Sequence, residues 1–368
     1  MNYKITCSKC GHRSKDLLST VCSLCGFPLE VQVNPDFEKK KINRMDNSLW
    51  RYRQFFPYVE EADIVSLGEG MTPLVRLSDE TYVKLESLNP TGSFKDRGSA
   101  VLVSAIQKLI KSQGGYISED SSGNAGASIA AYAARAGLKA KIYVPETVSG
   151  PKFNQIQIYG ADVVRVPGSR NKVAEEAQKS VTGKFYVGHI FHPLFRDGIR
   201  SLAYEIVELF KWKAPEHVYL PVSAGTLLLG VISGFKHLVD SNVIESMPRI
   251  VACQTRQVSP LYHKFKNLSY APPEKITSVA DALVSVNPPL LDVMVKRLKE
   301  VDGDSVMVEE NEVVEAYRSL ARSGFFVEPS SAVAYSGYTK QTRSGNVSKN
   351  DRTVIALTGT GLKTTFKP

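Results

Sequence analysis

The stretch that decides the fold is Asn89-Pro90-Thr91-Gly92-Ser93-Phe94-Lys95-Asp96-Arg97-Gly98. It follows a strand-like run, 81–86, and precedes an apolar-periodic segment, 98–110, that predicts a helix. The turn therefore places Lys95 near a helix start, where the positive partial charge lowers the cost of a neutral amine. A neutral lysine is the group that forms an imine with an aldehyde cofactor. The alternative is a surface lysine beside an ion pair of Asp96 and Arg97.

Strand and helix patterns alternate outward from this turn. Short strands are predicted at 115–118, 139–145 and 163–167, and a further strand begins at 218 and runs into a turn and a helix. Near the end, an apolar strand from 354 leads into a Gly-Thr-Gly turn. This β-α-β alternation predicts parallel, doubly wound sheets, which bind ligands at the carboxyl ends of their strands.

Two of the predicted helices begin in runs of small residues, 121–128 and 223–230. Such a helix start presents backbone N–H groups that can bind an anion. Asn124 adds a side-chain donor to the first run, and Ser223 and Thr226 add hydroxyl donors to the second. For the first run, a simple helix cap is the alternative.

Four of the five cysteines form two Cys-x-x-Cys pairs, Cys7 with Cys10 and Cys22 with Cys25, each followed by a glycine. Two such pairs predict a tetrahedral zinc site. Because protein thiolates would fill every position, the zinc would be structural. Two disulfides are the alternative, which a reducing compartment disfavours. A small zinc-binding segment of this kind, called a zinc ribbon, can also bind nucleic acid or a partner protein.

Composition and charge limit the classes of protein to which the chain can belong. The chain has 368 residues and a net charge of +9, with ordinary hydrophobic and charged fractions that indicate a globular protein. Its start lacks the apolar core of a signal peptide, and no run is long enough to span a bilayer, so we expect a cytoplasmic protein with no membrane partner. The lysines and arginines are scattered, which argues against nucleic-acid binding but leaves attraction of anionic small molecules open.

Five motifs together resemble the fold-type II enzymes that use pyridoxal 5′-phosphate (PLP), and within them the threonine synthase family. The motifs are 68–74, 89–98, 121–128, 326–332 and 357–363. The four-cysteine ribbon is similar to that of archaeal-type members. The resemblance implies an α/β fold with two doubly wound open-sheet domains of the tryptophan synthase β type, preceded by a zinc ribbon. It also implies a homodimer.

The resemblance implies three domains and a role for each. Residues 1–33 would form the ribbon, and residues 34–92 together with 201–368 would form a large PLP-binding domain. Residues 93–200 would form a small domain that binds an amino-acid substrate.

The resemblance also assigns site residues. Lys95 would hold PLP covalently, Asn124 would bind its ring oxygen and Thr358 would face its pyridine nitrogen. The cofactor phosphate would lie on Ser223, Ala224, Gly225, Thr226 and Leu227. The substrate carboxylate would lie on Ser121, Ser122, Gly123 and Ala125. A neutral hydroxyl at Thr358 restrains electron withdrawal into the ring, which suits elimination and replacement better than transamination.

For a threonine synthase, the implied reaction is loss of phosphate from O-phospho-L-homoserine followed by addition of water, giving L-threonine. The family holds the substrate phosphate with an Asn-Ser pair and an arginine. Here His189, Ile190 and Phe195 stand at those positions. An apolar side chain cannot donate a hydrogen bond to a phosphate.

Two interpretations of this departure are open. Lys84, His189 and Arg196 could replace the missing phosphate ligands. Alternatively, the enzyme is a related lyase or β-replacement enzyme, such as a threonine or serine dehydratase or a cysteine or cysteate synthase. A catalytically silent sensor with a PLP-type fold is disfavoured because Lys95, Asn124 and Thr358 are all present.

Overall fold

The computed structural model describes residues 3–179 and 181–366. The strands are β1 (Tyr3–Cys7), β2 (Arg13–Ser14), β3 (Leu29–Val33), β4 (Leu74–Ser78), β5 (Thr81–Lys84), β6 (Tyr116–Glu119), β7 (Ala140–Pro145), β8 (Asp162–Val166), β9 (Lys184–Tyr186), β10 (His217–Pro221), β11 (Arg249–Thr255), β12 (Asp304–Val308) and β13 (Thr353–Ala356). The α-helices are α1 (Lys95–Ser112), α2 (Asn124–Arg135), α3 (Pro151–Ile158), α4 (Arg170–Gln178), α5 (Pro193–Ile199), α6 (Ser201–Leu209), α7 (Thr226–Asp240), α8 (Pro260–Phe265), α9 (Leu291–Glu300), α10 (Glu310–Arg322) and α11 (Pro329–Arg343).

The first of two compact units spans Met1–Met71 and Asn89–Ser201. It contains an antiparallel ribbon sheet in the order β2-β1-β3 and a parallel sheet in the order β8-β7-β6-β9. In the parallel sheet, the chain runs from β6 outward to β8 and then returns to the other side of β6. The strand order therefore reverses between β6 and β9, the position at which doubly wound sheets bind ligands.

Helices α1 and α5 approach each other closely in this unit because each has a glycine at the contact. A Cβ atom added to Gly98 would lie 2.6 Å from the ring of Phe195. One added to Gly198 would lie 2.3 Å from the carbonyl oxygen of Arg97. Helix α5 can therefore pack directly on the turn of α1 that follows Lys95.

The second unit spans Thr72–Leu88 and Leu202–Pro368. Its sheet has the order β12-β11-β10-β13-β5-β4, parallel except for the antiparallel edge strand β4. Apolar side chains such as Val83, Tyr219, Val251 and Ile355 form its core. The strand order reverses between β10 and β13, so the loops after these two strands emerge side by side. The two sheets confirm the predicted doubly wound α/β fold.

Residues 34–71 and 89–92 belong to the first unit, whereas the family resemblance implied that they are part of the large domain. Hydrogen bonds attach residues 34–71 to the rest of the first unit. The Tyr58 hydroxyl donates to Asp197 Oδ2 at 2.5 Å, and Gln107 donates to the carbonyl of Asp63 at 2.7 Å. The N–H of Val65 also donates to Ser104 Oγ at 2.8 Å. The functional roles given to the domains stay predictions. Within the described residues, no helix has both the length and the apolar composition needed to cross a bilayer.

Candidate active site

The turn that carries Lys95 is held by a buried carboxylate. Thr91 donates to Asp96 from both its N–H and its Oγ1, each at 2.6 Å, and Ser128 Oγ of α2 donates to the same carboxylate at 2.6 Å. Asp96 and Arg97 are both fully buried, so the residues that follow Lys95 belong to the interior of the protein. Lys95 itself is half-buried as the first residue of α1, with Nζ 4.5 Å from the ring centroid of Phe94.

Ser93 is a buried polar group in the same turn. Its side chain is fully buried, and Oγ has no hydrogen-bond partner among the described residues. Buried hydroxyl groups in folded proteins are nearly always hydrogen-bonded. An unpaired hydroxyl beside the candidate lysine therefore indicates a binding site for a polar ligand.

The motif at 68–74 has a structural role that the sequence did not reveal. Glu69 is fully buried and accepts hydrogen bonds from Trp50 Nε1 at 2.8 Å and from the Tyr132 hydroxyl at 2.6 Å. Burial raises the pKa of Glu69. The N–H of Gly70 donates to Asn89 Oδ1 at 3.0 Å, which ties this motif to the start of the lysine turn.

The loops after β6 and β9 meet where the strand order of the first unit reverses. Asn124 is buried at the start of α2, and the half-buried residues 121–123 precede it. The sequence-predicted carboxylate ligands, with Ala125 in the first turn of α2, therefore lie together at this position. The same edge receives His189 from the loop after β9.

His189 is bound by a carboxylate that sequence analysis missed, Glu119 at the end of β6. His189 Nδ1 lies 2.6 Å from Glu119 Oε1, and the His189 N–H donates to Oε2 at 3.0 Å. Burial alone would raise the pKa of Glu119, but the charge and hydrogen bonds of His189 outweigh it and lower that pKa. Only the strand order could have revealed the pair, because β6 and β9 are far apart in sequence.

Lys84 forms an ion pair and a hydrogen bond inside the second unit. Its Nζ lies 2.8 Å from Glu205 Oε2 and donates to the carbonyl of Thr72 at 2.6 Å, and both charged side chains are fully buried. Glu86 Oε1 lies 3.7 Å from the same Nζ. These contacts favour a structural role over the predicted substrate contact.

Arg196 is hydrogen-bonded to backbone carbonyls inside the first unit. Its guanidinium donates to the carbonyls of Ile190 at 2.6 Å and Phe191 at 3.0 Å, and also to the carbonyl of Leu29. Leu29 begins β3, so Arg196 attaches the ribbon to the loop after β9. Lys84 and Arg196 use their charged groups in these contacts. His189 uses Nδ1, and its second ring nitrogen, Nε2, makes no hydrogen bond to the part of the chain that the structure describes.

In the second unit, the loop after β10 forms a tight helix start. Gly225 has φ = +96°, and a Cβ atom there would lie 2.4 Å from Met294 Sδ, so this position requires glycine. The loop leads directly into α7, whose first N–H groups can bind an anion. Ser223, Ala224, Thr226 and Leu227 complete the predicted phosphate loop.

Thr358 follows β13, the neighbour of β10, so it emerges at the same edge of the sheet as this loop. Its Oγ1 lies 2.9 Å from Ser331 Oγ, which also accepts the N–H of Gly359 at 2.9 Å. Ser331 thus orients the Thr358 hydroxyl. The motif at 326–332 contains Ser331, but its role is visible only when α11 is packed beside β13.

The ribbon brings its four cysteines together. Sγ of Cys25 lies 3.5 Å from that of Cys7 and 3.6 Å from that of Cys10, and Cys10 Sγ lies 3.7 Å from Cys22 Sγ. Four thiolates on a tetrahedral zinc lie about 3.8 Å apart. All four are free thiols, and although burial raises the pKa of Cys7, the N–H groups of Cys10 and Lys9 lower it to about 7. This donor set fits a thiophilic cation.

Sequence comparisons match the chain over nearly its full length. A family model described as pyridoxal-phosphate dependent enzyme matches residues 65–359. The threonine synthase of Methanocaldococcus jannaschii is 32% identical, covering 97% of this chain and 92% of the relative. That of Methanosarcina acetivorans is 29% identical over 98% of this chain and 92% of the relative, and that of Halalkalibacterium halodurans 32% over 86% and 90%.

Solved structures match the fold. The processed form of threonine deaminase isoform 2 from Solanum lycopersicum is similar with a TM-score of 0.68 and 21% identity, covering 85% of this chain and 84% of that one. Maize serine racemase is similar with a TM-score of 0.66 and 21% identity, covering 79% and 88%. At this identity the likeness concerns the fold alone.

Proposed function

The chain belongs to the pyridoxal-phosphate dependent enzymes and, within them, to the threonine synthase family, and we propose that it converts O-phospho-L-homoserine and water to L-threonine and phosphate. The observation that supports this most is the similarity to threonine synthases over almost the entire chain. A lyase or β-replacement enzyme acting on serine or threonine is the alternative that the experiment below separates.

The residues present fit PLP. In the first unit, Lys95 is at a helix start beside the unpaired hydroxyl of Ser93. In the second, a glycine-dependent helix start and an oriented hydroxyl, Thr358, suit a phosphate and a neutral pyridine nitrogen. When bound, PLP would supply the electron sink that makes protons on the α- and β-carbons of an amino acid removable. Lys95 would hold it, with Asn124 on its ring oxygen.

The chain's own groups would then direct the reaction. Lys95 Nζ would remove and return protons at the substrate's α- and β-carbons. The helix start at 121–125 would hold the substrate carboxylate on backbone N–H groups. Because Ser331 keeps a neutral hydroxyl, that of Thr358, in place, elimination is favoured over transamination.

His189 is the side chain that we propose for the substrate phosphate. The buried carboxylate of Glu119 lies 2.6 Å from its Nδ1 and orients the ring, so that Nε2 would contact the leaving phosphate. Lys84 and Arg196 are less suited because buried carboxylates and carbonyls engage them.

We propose in addition that Cys7, Cys10, Cys22 and Cys25 hold a structural zinc ion. The spacing of their sulfur atoms supports this. A homodimer is proposed on the family resemblance, and a cytoplasmic location on the sequence.

The test is to incubate PLP-loaded protein with O-phospho-L-homoserine and to quantify phosphate and threonine together. We expect equal amounts of both products, and Lys95→Ala should abolish both while Lys108→Ala, an exposed lysine of the same helix, keeps them. Phosphate without threonine would indicate a different lyase. If neither product appears but keto acid forms from serine or threonine, the dehydratase alternative is correct.

A further inference from the structure

His189 lies in a tight turn between β9 and α5, and hydrogen bonds hold this turn from several sides. The carbonyl oxygen of Gly188 accepts the N–H of Phe191 at 2.8 Å and that of His192 at 2.9 Å. The N–H of His189 itself donates to the buried carboxylate of Glu119 at 3.0 Å. The position of the His189 ring therefore depends on how firmly the turn is held.

Arg196 binds the same turn through two peptide carbonyls. Its Nη1 donates to the carbonyl of Ile190 at 2.6 Å and to that of Phe191 at 3.0 Å, the two residues that follow the histidine. Burial lowers the pKa of Arg196 to about 10, although the charges of Glu30 and Asp197 act in the opposite direction. The guanidinium is therefore still charged at neutral pH, and hydrogen bonds from a charged donor are stronger than those from a neutral one.

The other end of the guanidinium binds the ribbon. Its Nη2 donates to the carbonyl of Leu29, a fully buried residue that begins β3. In the ribbon sheet, Leu29 is paired directly with Cys7 of β1, one of the four clustered cysteines. A single buried side chain thus connects the strand beside the cysteine cluster to the turn that carries His189.

We propose that Arg196 is a positioning residue, which uses the ribbon to hold His189 where the substrate phosphate would bind. This inference rests on the function proposed above. Because one guanidinium binds both segments, loss of the side chain, or of order in the ribbon, would loosen the turn and displace the imidazole. The helix start at 121–125, which would hold the substrate carboxylate, makes no contact with this guanidinium. Affinity for the phosphate group should therefore fall while affinity for the amino-acid part is kept.

Hydrogen–deuterium exchange of the full-length, PLP-loaded protein tests this connection without turnover. In Arg196→Met, the amides of 188–192 and 29–33 should exchange at least about tenfold faster, because both segments lose hydrogen bonds to a charged donor. The segment 226–240 of the second unit should exchange as in wild type. The control is Arg165→Met, which removes an exposed arginine of the same unit that also donates to two backbone carbonyls. Unchanged exchange at 188–192 in Arg196→Met would overturn the proposal.

Steady-state kinetics test the consequence for the substrate. In Arg196→Met, KM for O-phospho-L-homoserine should rise about tenfold, while kcat and the inhibition constant of L-threonine, which has no phosphate, should change less than about twofold. His189→Ala should raise KM to a similar extent. Adding Arg196→Met to it should raise KM no further, because the arginine acts through the histidine. A rise of about a hundredfold in the double variant would overturn the proposal, since Arg196 would then act on the substrate independently.

A second variant decides the matter if Arg196→Met does not fold, which thermal melting and the visible absorbance of PLP check. Cys10→Ser changes an exposed thiol of the ribbon and leaves the arginine in place. We expect faster exchange at 29–33 and 188–192 and the same rise in KM, whereas Cys253→Ala should behave as wild type. Faster exchange in the ribbon with an unchanged turn would overturn the proposal. Absence of threonine from wild-type protein would refute the proposed function, and exchange at 188–192 would still decide how His189 is held.

Discussion

At the scale of single residues, charged side chains have roles that their identity alone does not reveal. Lys84, Arg196 and His189 are all candidates for binding a phosphate when only the sequence is considered. Lys84 lies in a fully buried ion pair with Glu205, and Arg196 donates to three backbone carbonyls. His189 is bound to a carboxylate through one ring nitrogen. The partner of each charge therefore decides which of the three suits a ligand.

We predict that Lys84→Met lowers the free energy of unfolding by about 3–5 kcal/mol, because Glu205 would be buried without its cation. Urea denaturation measures this, with Lys349→Met, an exposed lysine of the same unit, as the control. The double variant Lys84→Met, Glu205→Leu should recover much of the loss. Wild-type stability together with a raised KM in Lys84→Met would instead show that Lys84 binds substrate.

The Glu119–His189 pair predicts a pH-dependent contribution to stability. Because the folded-state pKa of Glu119 is lowered below its ordinary value of 4.5, its contribution is present above that pH and is lost as pH falls through the folded pKa. Glu119→Gln should therefore be less stable than wild type by about 1–3 kcal/mol at neutral pH, and the gap should close in acid. Denaturation at several pH values measures it, with Glu175→Gln as an exposed control. A constant gap would contradict the prediction.

At the scale of elements, loops at strand ends carry most of the candidate chemistry. The predicted ligands other than Lys84 lie after β5, β6, β9, β10 and β13, and the sheet order makes neighbours of β6 and β9 and of β10 and β13. The ribbon is a separate small sheet, attached to the loop after β9 through Arg196 and Leu29. Its own apolar core is small, so a metal would supply much of its stability.

We predict one zinc ion per chain, and we expect Cys10→Ser to release it. In alkylation with iodoacetamide followed by mass spectrometry, the four ribbon thiols should react once zinc is chelated. Cys253 should react only on unfolding, because it is fully buried and burial raises its pKa. Cys253→Ala is the matched control and should keep its zinc. Metal-free protein as purified, or rapid native labelling of Cys253, would count against these expectations.

At the scale of the whole molecule, the chain forms two compact units and has a net charge of +9. Each unit has its own sheet and its own reversal of strand order. A positive field attracts anionic substrates, and dissolved salt screens it. The charge of the molecule therefore bears on the rate of substrate capture rather than on the fold.

We predict that kcat/KM for O-phospho-L-homoserine falls by up to about tenfold as ionic strength rises, because screening weakens attraction of the phosphate. Steady-state kinetics at increasing potassium chloride measure this. Sucrose at matched viscosity is the control and should have less effect. A salt-independent kcat/KM would mean that the overall charge does not guide the substrate.

Short-range sequence patterns were sufficient to predict the local elements of this protein and the chemistry they carry. The lysine turn, the small-residue helix starts, the paired cysteines and the β-α alternation are short-range patterns, because turn geometry and side-chain periodicity act over a few residues. The predicted helix at 98–110 lies within α1, and the predicted strand at 139–145 is β7 with one residue added. These features sufficed to predict the fold class.

Contacts between residues that are distant in the sequence became visible only in the folded chain. Glu119 and His189 are 70 residues apart, and Lys84 and Glu205 are 121 apart. Such pairs depend on strand order and on the burial of charge, and local sequence patterns specify neither of these. The same reason explains the membership of residues 34–71 in the first unit, the orientation of Thr358 by Ser331, and the contact of Arg196 with the ribbon.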